Sequence, residues 1–311
     1  MSLTRRRALT GLALLPAALC GSSLVGAADA VVPTAVTRAA PKVDIVSFEP
    51  ALTESLLGLG VVPRAVVNAG FYREFVAQPS LPDDVIDLGP SIEPNLEYLQ
   101  RLAPGLIIGT SWQLEGTLLQ RIAPLRTFDI YAANAQPYRN AGQVLLDLGA
   151  LVDRRAQAQA LLEQTDQLLE SLRARLTPVK DRPVYIARLN PDGRHLLLFG
   201  AKGMYQAVLD RLGLRNAYQG RTNAWGGSPA VGIETLLEHP DAAFLYYTNP
   251  REAVAAQRRL DNSPIWRALP MIREGRIRAL PRFYPSGGLL TAQRLALSIT
   301  EQLLAMEANH A

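Results

Sequence analysis

Short apolar runs rich in valine and isoleucine alternate with amphipathic segments through most of the chain, and this alternation limits the possible folds most. The runs flank a long leucine pattern, at residues 43–47, 64–67, 105–109 and 126–130 before it and at 183–187, 195–199 and 243–247 after it. Strands alternating with helices are typical of an α/β protein. We therefore expect two α/β lobes, one on each side of the leucine pattern.

The leucine pattern runs at helical spacing from about Tyr138 to Leu176 and ends before Pro178. It predicts one helix of about 50–60 Å at 1.5 Å per residue, unless Gly149 kinks it. The expected organisation is an N-terminal lobe over residues 31–137, a bridging helix over 138–177 and a C-terminal lobe over 178–311. A ligand of such a protein would lie in the cleft between the lobes.

Residues 1–30 have the pattern of a signal peptide that directs export. An arginine pair within residues 5–7 precedes an apolar stretch, residues 8–19, which is too short to span a bilayer and resembles the twin-arginine type of signal. A small-x-small sequence ending at Ala30 predicts cleavage there. The alternative is lipidation at Cys20, although the bulky Leu19 before it disfavours that cleavage.

The inventory of reactive residues is small and disfavours several classes of protein. The 311 residues include one cysteine and three histidines, His195, His239 and His310, and the histidines are far apart in the sequence. This predicts no metal site, no bound cofactor and no catalytic residues, and motifs for serine hydrolysis or for phosphate and dinucleotide binding are missing. The net charge of +4 does not point to nucleic acid.

Aromatic residues are concentrated in predicted loops, at residues 71–75, 111–113, 223–227 and 282–285. A tryptophan in a glycine-flanked loop either caps the core or lines a cleft. Four such loops next to strands favour a pocket that holds an apolar or amphipathic ligand by stacking.

Several stretches, in order along the chain, resemble one family. They are Pro-x-Leu-Pro-Asp-x-Val-Ile-Asp-x-Gly at 79–89, Glu-Pro-Asn-Leu-Glu at 93–97, Arg-Ile-Ala-Pro at 121–124, Arg-His-x-Leu-x-Phe-Gly at 194–200 and Asn-Ala-Tyr-Gln-Gly-x-Thr-Asn-x-Trp-Gly at 216–226. Together they resemble the periplasmic ferric hydroxamate-binding proteins of ABC-type iron uptake, within the iron-complex and cobalamin substrate-binding superfamily. The resemblance implies two α/β lobes bridged by a long helix, and a periplasmic monomer. It also implies delivery of a ferric chelate to an inner-membrane permease and its ATPase.

Carried over by position, the resemblance places the aromatic cleft of the family at Phe75, Trp112, Trp225 and Tyr284. A ferric siderophore has a saturated metal, so the protein would contact the organic shell and not the iron. Trp112 stands where the family has a tyrosine, which keeps a stacking face and supplies one N–H donor.

Two cleft positions depart from the family pattern. Ser91 stands where an arginine is expected, and Ser286 stands where an aromatic residue is expected. Another arginine could compensate, with Arg188, Arg221 and Arg282 as candidates; otherwise the cargo is another ferric siderophore, haem or cobalamin. Surface ion pairing is the alternative role of each arginine.

Glu97 and Glu234 open two similar segments, each expected to be a short helix followed by a buried strand. The resemblance implies that these carboxylates, one on each lobe, dock against arginines of the permease. The structural alternative is that each glutamate stabilises the helix dipole by roughly 0.3–1 kcal/mol.

Two classes of function therefore remain open at the level of the sequence. The first is a binding protein for a ferric siderophore, of hydroxamate type. The second is an exported enzyme that uses the same cleft, such as a siderophore-releasing reductase or esterase, although it would need a nucleophile, metal or redox cofactor that the sequence does not offer.

Overall fold

The computed structural model describes residues 42–308, apart from the side chains of residues 250–252. The predicted signal peptide, with Cys20 and the cleavage position after Ala30, lies outside these residues. Among the described helices, none has the length and apolar character needed to cross a membrane.

The first sheet lies in the N-terminal lobe and has five parallel strands in the order β3-β2-β1-β4-β5. Its strands are β1 Lys42–Ser47, β2 Val62–Val66, β3 Ile86–Asp87, β4 Leu106–Gly109 and β5 Leu125–Thr127. The central strands carry continuous apolar runs because helices cover both faces of a parallel sheet. Val46 and Ile107, for example, are fully buried.

The second sheet lies in the C-terminal lobe and has the order β10-β9-β6-β7-β8. Its strands are β6 Val184–Leu189, β7 His195–Leu198, β8 Val231–Gly232, β9 Ala243–Tyr247 and β10 Ile277–Ala279. β6, β9 and β10 are parallel, whereas β7 and β8 run antiparallel to their neighbours. The two sheets confirm the predicted pair of α/β lobes; the exact lobe boundaries stay predictions.

Helices surround the sheets and fill the space between the lobes. They are α1 Pro50–Gly58, α2 Ala69–Phe71, α3 Leu96–Leu102, α4 Ser111–Leu114, α5 Pro137–Leu151, α6 Arg155–Arg175, α7 Met204–Leu212, α8 Pro250–Asp261, α9 Pro264–Ala268, α10 Pro270–Arg273 and α11 Leu289–Ala308. Short 3₁₀ turns occupy Leu118–Arg121, Thr177–Val179 and Ile233–Glu238, and one π turn occupies Tyr72–Val76.

The prediction of one continuous helix over residues 138–177 is wrong, because this segment forms two helices that pack against each other. The chain reverses after α5, where Asp153 adopts a left-handed backbone conformation with φ of 54°. The Tyr138 hydroxyl donates to Asp166 at 2.9 Å, and a Cβ on Gly149 would lie 2.5 Å from that of Ala158. These contacts make α5 and α6 an antiparallel hairpin. The remaining bridge to the second sheet is α6, with 21 residues, about 31 Å long.

The last helix, α11, is joined to α1 by a buried polar network centred on Glu54. This carboxylate accepts hydrogen bonds from the Gly288 amide at 2.8 Å and the Thr291 hydroxyl at 2.5 Å, and it pairs with Arg294 at 3.2 Å. Arg294 also donates to the Val76 carbonyl at 2.5 Å. The network ties the last helix of the chain to the first helix of the N-terminal lobe.

Candidate functional site

The candidate site begins where the strands of the first sheet end. The strand order is β3-β2-β1-β4-β5, so the chain adds strands on one side of β1 first and then, from β4 onward, on the other side. Ligands of open α/β sheets bind at such a switch point between neighbouring strands, outside their carboxyl ends. Glu49 follows β1, Thr110 follows β4 and Tyr131 lies in the loop after β5. All three line one cavity.

This cavity, which we call the indole compartment, has a volume of about 140 Å³. Trp112 and Trp225 both line it, and these residues are 68% and 44% exposed. Trp112 belongs to the N-terminal lobe and Trp225 to the C-terminal lobe. The remaining lining residues are Glu49, Ala51, Leu52, Thr110, Phe128, Asp129, Ile130, Tyr131, Ala224, Tyr284 and Ser286. Large, exposed indoles beside one opening are suited to stacking against a flat or bulky organic group.

Glu49, which no sequence motif indicated as a site residue, is a buried carboxyl at the edge of the indole compartment. It accepts hydrogen bonds from the Tyr284 hydroxyl at 3.0 Å and from the Gln113 amide at 3.1 Å. Burial raises the pKa of Glu49 to about 7, although these hydrogen bonds oppose the shift. Its position in the sequence could have identified it, because a carboxylate just after a buried strand lies at the carboxyl edge of the sheet, where ligands bind.

A second cavity, which we call the arginine compartment, has a volume of about 440 Å³ and is lined by Arg188 and Arg282. Its other lining residues are Phe71, Phe75, Leu189, Pro191, Tyr247, Asn249, Phe283, Tyr284 and Pro285. Tyr284 lines both compartments. The two compartments are therefore neighbouring parts of one cleft.

One wall of the arginine compartment is a layer of stacked rings. Phe71 and Phe75 stack with their ring centroids 4.2 Å apart, and Phe71 meets Tyr284 edge to face at 5.2 Å. The Arg282 guanidinium lies 3.6 Å from the centre of the Phe75 ring and pairs with Glu74 at 2.7 Å. Arg282, from the C-terminal lobe, thereby holds Phe75 of the N-terminal lobe in place.

Tyr131 fixes the loop that carries Tyr284. Its single hydroxyl proton is shared between the carbonyls of Pro285 and Gly287, whose oxygens lie 3.0 and 2.9 Å from the hydroxyl oxygen. Burial raises the pKa of Tyr131 well above its ordinary value, so the hydroxyl remains a donor. No sequence pattern indicated Tyr131 as a site residue, because its partners lie more than 150 positions away in the chain.

Most of the predicted ligand-binding residues lie together in this cleft. Trp112, Trp225, Tyr284 and Ser286 line the indole compartment. Phe75, Arg188 and Tyr284 line the arginine compartment.

Ser91, in contrast, lines neither compartment. It lies in a separate groove beside Ile92 and accepts a hydrogen bond from the Asn68 amide at 3.2 Å. Arg221 is exposed and also lies outside the lining of both compartments. Of the three candidate arginines, the structure therefore places Arg188 and Arg282 at the cleft.

Glu97 and Glu234 are both exposed, each in the first turn of a short helical segment. This confirms the predicted short helices: Asn95 caps the first by accepting from the Tyr98 amide at 2.8 Å, and the second is a 3₁₀ turn. Within residues 42–308, histidine, cysteine and carboxylate side chains form no group of three or more that could hold a metal.

A two-lobed α/β fold with an aromatic cleft at the carboxyl ends of its strands defines a class of binding protein. The periplasmic binding protein family matches residues 45–283, and the chain belongs to this family.

Among individual proteins, the chain is 34% identical to the iron(3+)-hydroxamate-binding protein FhuD of Escherichia coli, over 93% of each chain. It is 24% identical to the ferric-anguibactin-binding protein FatB of Vibrio anguillarum, over 59% of this chain and 57% of that protein. The crystal structure of FhuD from Vibrio cholerae with bound Fe³⁺-Desferal superposes with a TM-score of 0.75, at 29% identity, covering 84% of this chain and 98% of that chain.

Proposed function

We propose that this chain is the periplasmic binding component of an ABC-type iron uptake system. It binds a ferric siderophore of hydroxamate type in the cleft and delivers it, as a monomer, to an inner-membrane permease and its ATPase. The similarity to the two FhuD proteins supports this proposal.

The pair of exposed indoles at the indole compartment is the observation that carries the proposal. Burying an exposed tryptophan at a ligand is favourable, because apolar surface leaves water at about 25 cal/mol per Å². A ferric siderophore presents this kind of surface, since its chelating groups saturate the iron and turn the organic shell outward. Such a ligand requires no iron-coordinating side chain from the protein.

The proposal also holds that the cleft breaks no bond in its ligand. The relatives are named as binding proteins, which favours this reading over a siderophore-releasing reductase or esterase. Turnover of a ferric siderophore by the purified protein without added cofactor would instead establish an enzyme. Tighter binding of haem or cobalamin than of any ferric siderophore would redirect the proposal to those ligands.

Tryptophan fluorescence tests the proposal. Adding a ferric trihydroxamate is expected to quench the emission strongly, whereas the iron-free chelator is expected to quench it little. Of the three tryptophans, Trp266 is buried in the C-terminal lobe. Replacing both Trp112 and Trp225 by phenylalanine should therefore remove most of the quenching and leave the Trp266 emission. Equal quenching in the wild type and in this double variant would contradict the assignment of the cleft.

Glu97 and Glu234 are proposed to dock the loaded protein on the permease. Replacing each by arginine reverses a charge at an exposed position, so chelate binding in solution should stay within about twofold of the wild type. Uptake of the radiolabelled ferric chelate by cells should fall about tenfold, because like charges would then face each other across the contact. The matched control is Glu163→Arg on the exposed face of α6, which should leave uptake unchanged. Normal uptake in both docking variants would rule out this role.

A further inference from the structure

Arg188 occupies an unusual position for a charged residue. It lies near the carboxyl end of β6, a strand in the middle of the second sheet, with Tyr247 on one side and Leu197 on the other. The neighbouring residues Ala187 and Leu189 are buried, whereas Arg188 is exposed. An arginine in a central strand is exposed here because its side chain lines the arginine compartment.

The guanidinium of Arg188 has no carboxylate partner within the described part of the chain. Its polar contact is with the side-chain oxygen of Asn190, at the long distance of 3.5 Å. Arg282, the other arginine of this compartment, is neutralised by Glu74 at 2.7 Å. Among the side chains that the structure describes, none therefore balances the positive charge of Arg188 in this lining.

The residues around Arg188 indicate which class of ligand group it can bind. The rings of Phe71, Phe75 and Tyr247 line the same compartment and would pack against an apolar chelate body. An unpaired guanidinium beside them suits a carboxylate, which it can bind through two parallel hydrogen bonds. A neutral ferric trihydroxamate without a pendant carboxylate offers no such group, and its three hydroxamate anions balance the charge of Fe³⁺.

We propose that Arg188 binds a carboxylate of the ferric chelate, so that the cleft selects an anionic siderophore of mixed hydroxamate and carboxylate type. This inference rests on the proposed function and deepens it. Arg282 has a different role, because it positions Phe75 and is paired with Glu74. Arg188 is therefore the cation that is available to the ligand.

The test compares two probes on the full mature chain. One is the negatively charged ferric complex of a citrate-centred dihydroxamate, and the other is a neutral, cyclic ferric trihydroxamate. The wild type should bind the anionic probe about tenfold more tightly or better. Arg188→Gln should lose about tenfold in affinity for the anionic probe and less than about twofold for the neutral one. The difference between the probes should also shrink as salt is added.

Arg221→Gln is the matched control, because Arg221 is an exposed arginine of the same lobe outside both compartments. It should leave both affinities unchanged. A wild type that binds the probes equally well, or an Arg188→Gln variant that changes both affinities alike, overturns the role of Arg188 while the proposed function stands. A wild type that binds neither probe overturns both.

Discussion

Replacing Arg294 by methionine is expected to lower the free energy of unfolding by roughly 3–5 kcal/mol, the usual cost of breaking a buried ion pair by removing one partner. Its partner Glu54 is fully buried, and burial raises the pKa of that carboxyl while the charge of Arg294 opposes the shift. Without Arg294 the carboxylate is left without its counter-charge. Urea unfolding followed by circular dichroism measures the loss.

The matched control for this prediction is Arg182→Met. Arg182 pairs with Glu307 of α11 at 3.2 Å, the same distance as in the Arg294–Glu54 pair. The side chains of Arg182 and Glu307 are both substantially exposed, however. Removing this exposed ion pair should lower the free energy of unfolding by at most about 1 kcal/mol. The double variant Glu54→Gln/Arg294→Met should recover part of the stability, because the uncharged amide still accepts from the Gly288 amide. Equal losses in Arg294→Met and Arg182→Met would contradict a special role for the buried network.

Glu49 is expected to make the stability of the protein depend on pH by about 3 kcal/mol, since each unit of pKa shift corresponds to about 1.4 kcal/mol. Its pKa rises from an ordinary 4.5 to about 7 in the folded chain, so the folded state holds the proton more tightly than the unfolded state. The stability due to this proton is fully present below pH 4.5 and is lost as the pH rises through 7.

The glutamine variant isolates this contribution because glutamine does not ionise. The free energy of unfolding of Glu49→Gln, minus that of the wild type, should increase by about 3 kcal/mol between pH 4.5 and pH 8. Tyr284→Phe removes a hydrogen bond that lowers the pKa of Glu49, so in that background the transition should move to higher pH. A difference that stays flat across this range would show that Glu49 does not change its protonation there.

The sequence was sufficient for the lobes and for most of the cleft. Local alternation of apolar runs predicts an α/β lobe. The aromatic loops at Trp112 and Tyr284 follow strands β4 and β10, at whose carboxyl ends ligands of such sheets bind, and Trp225 lies in the loop between α7 and β8. These features depend on neighbours in the chain, which a pattern can reveal.

The break between α5 and α6 could not be predicted from the leucine pattern. Both helices bury a leucine face, so the periodicity continues through a reversal that depends on one left-handed residue, Asp153. The partners of Glu49, Tyr131 and Arg282 were also out of reach, because they lie far away in the chain and only the folded structure brings them together. Ser91 was predicted to line the cleft from the family pattern, but it lies in a separate groove.

Native mass spectrometry of the mature protein mixed with a ferric siderophore tests most directly whether the chain carries an intact chelate. The account predicts one added mass per chain, equal to the whole ferric complex, and release of the unaltered complex when the protein is denatured. An added mass equal to iron alone, or a chelate released in cleaved or reduced form, would contradict it.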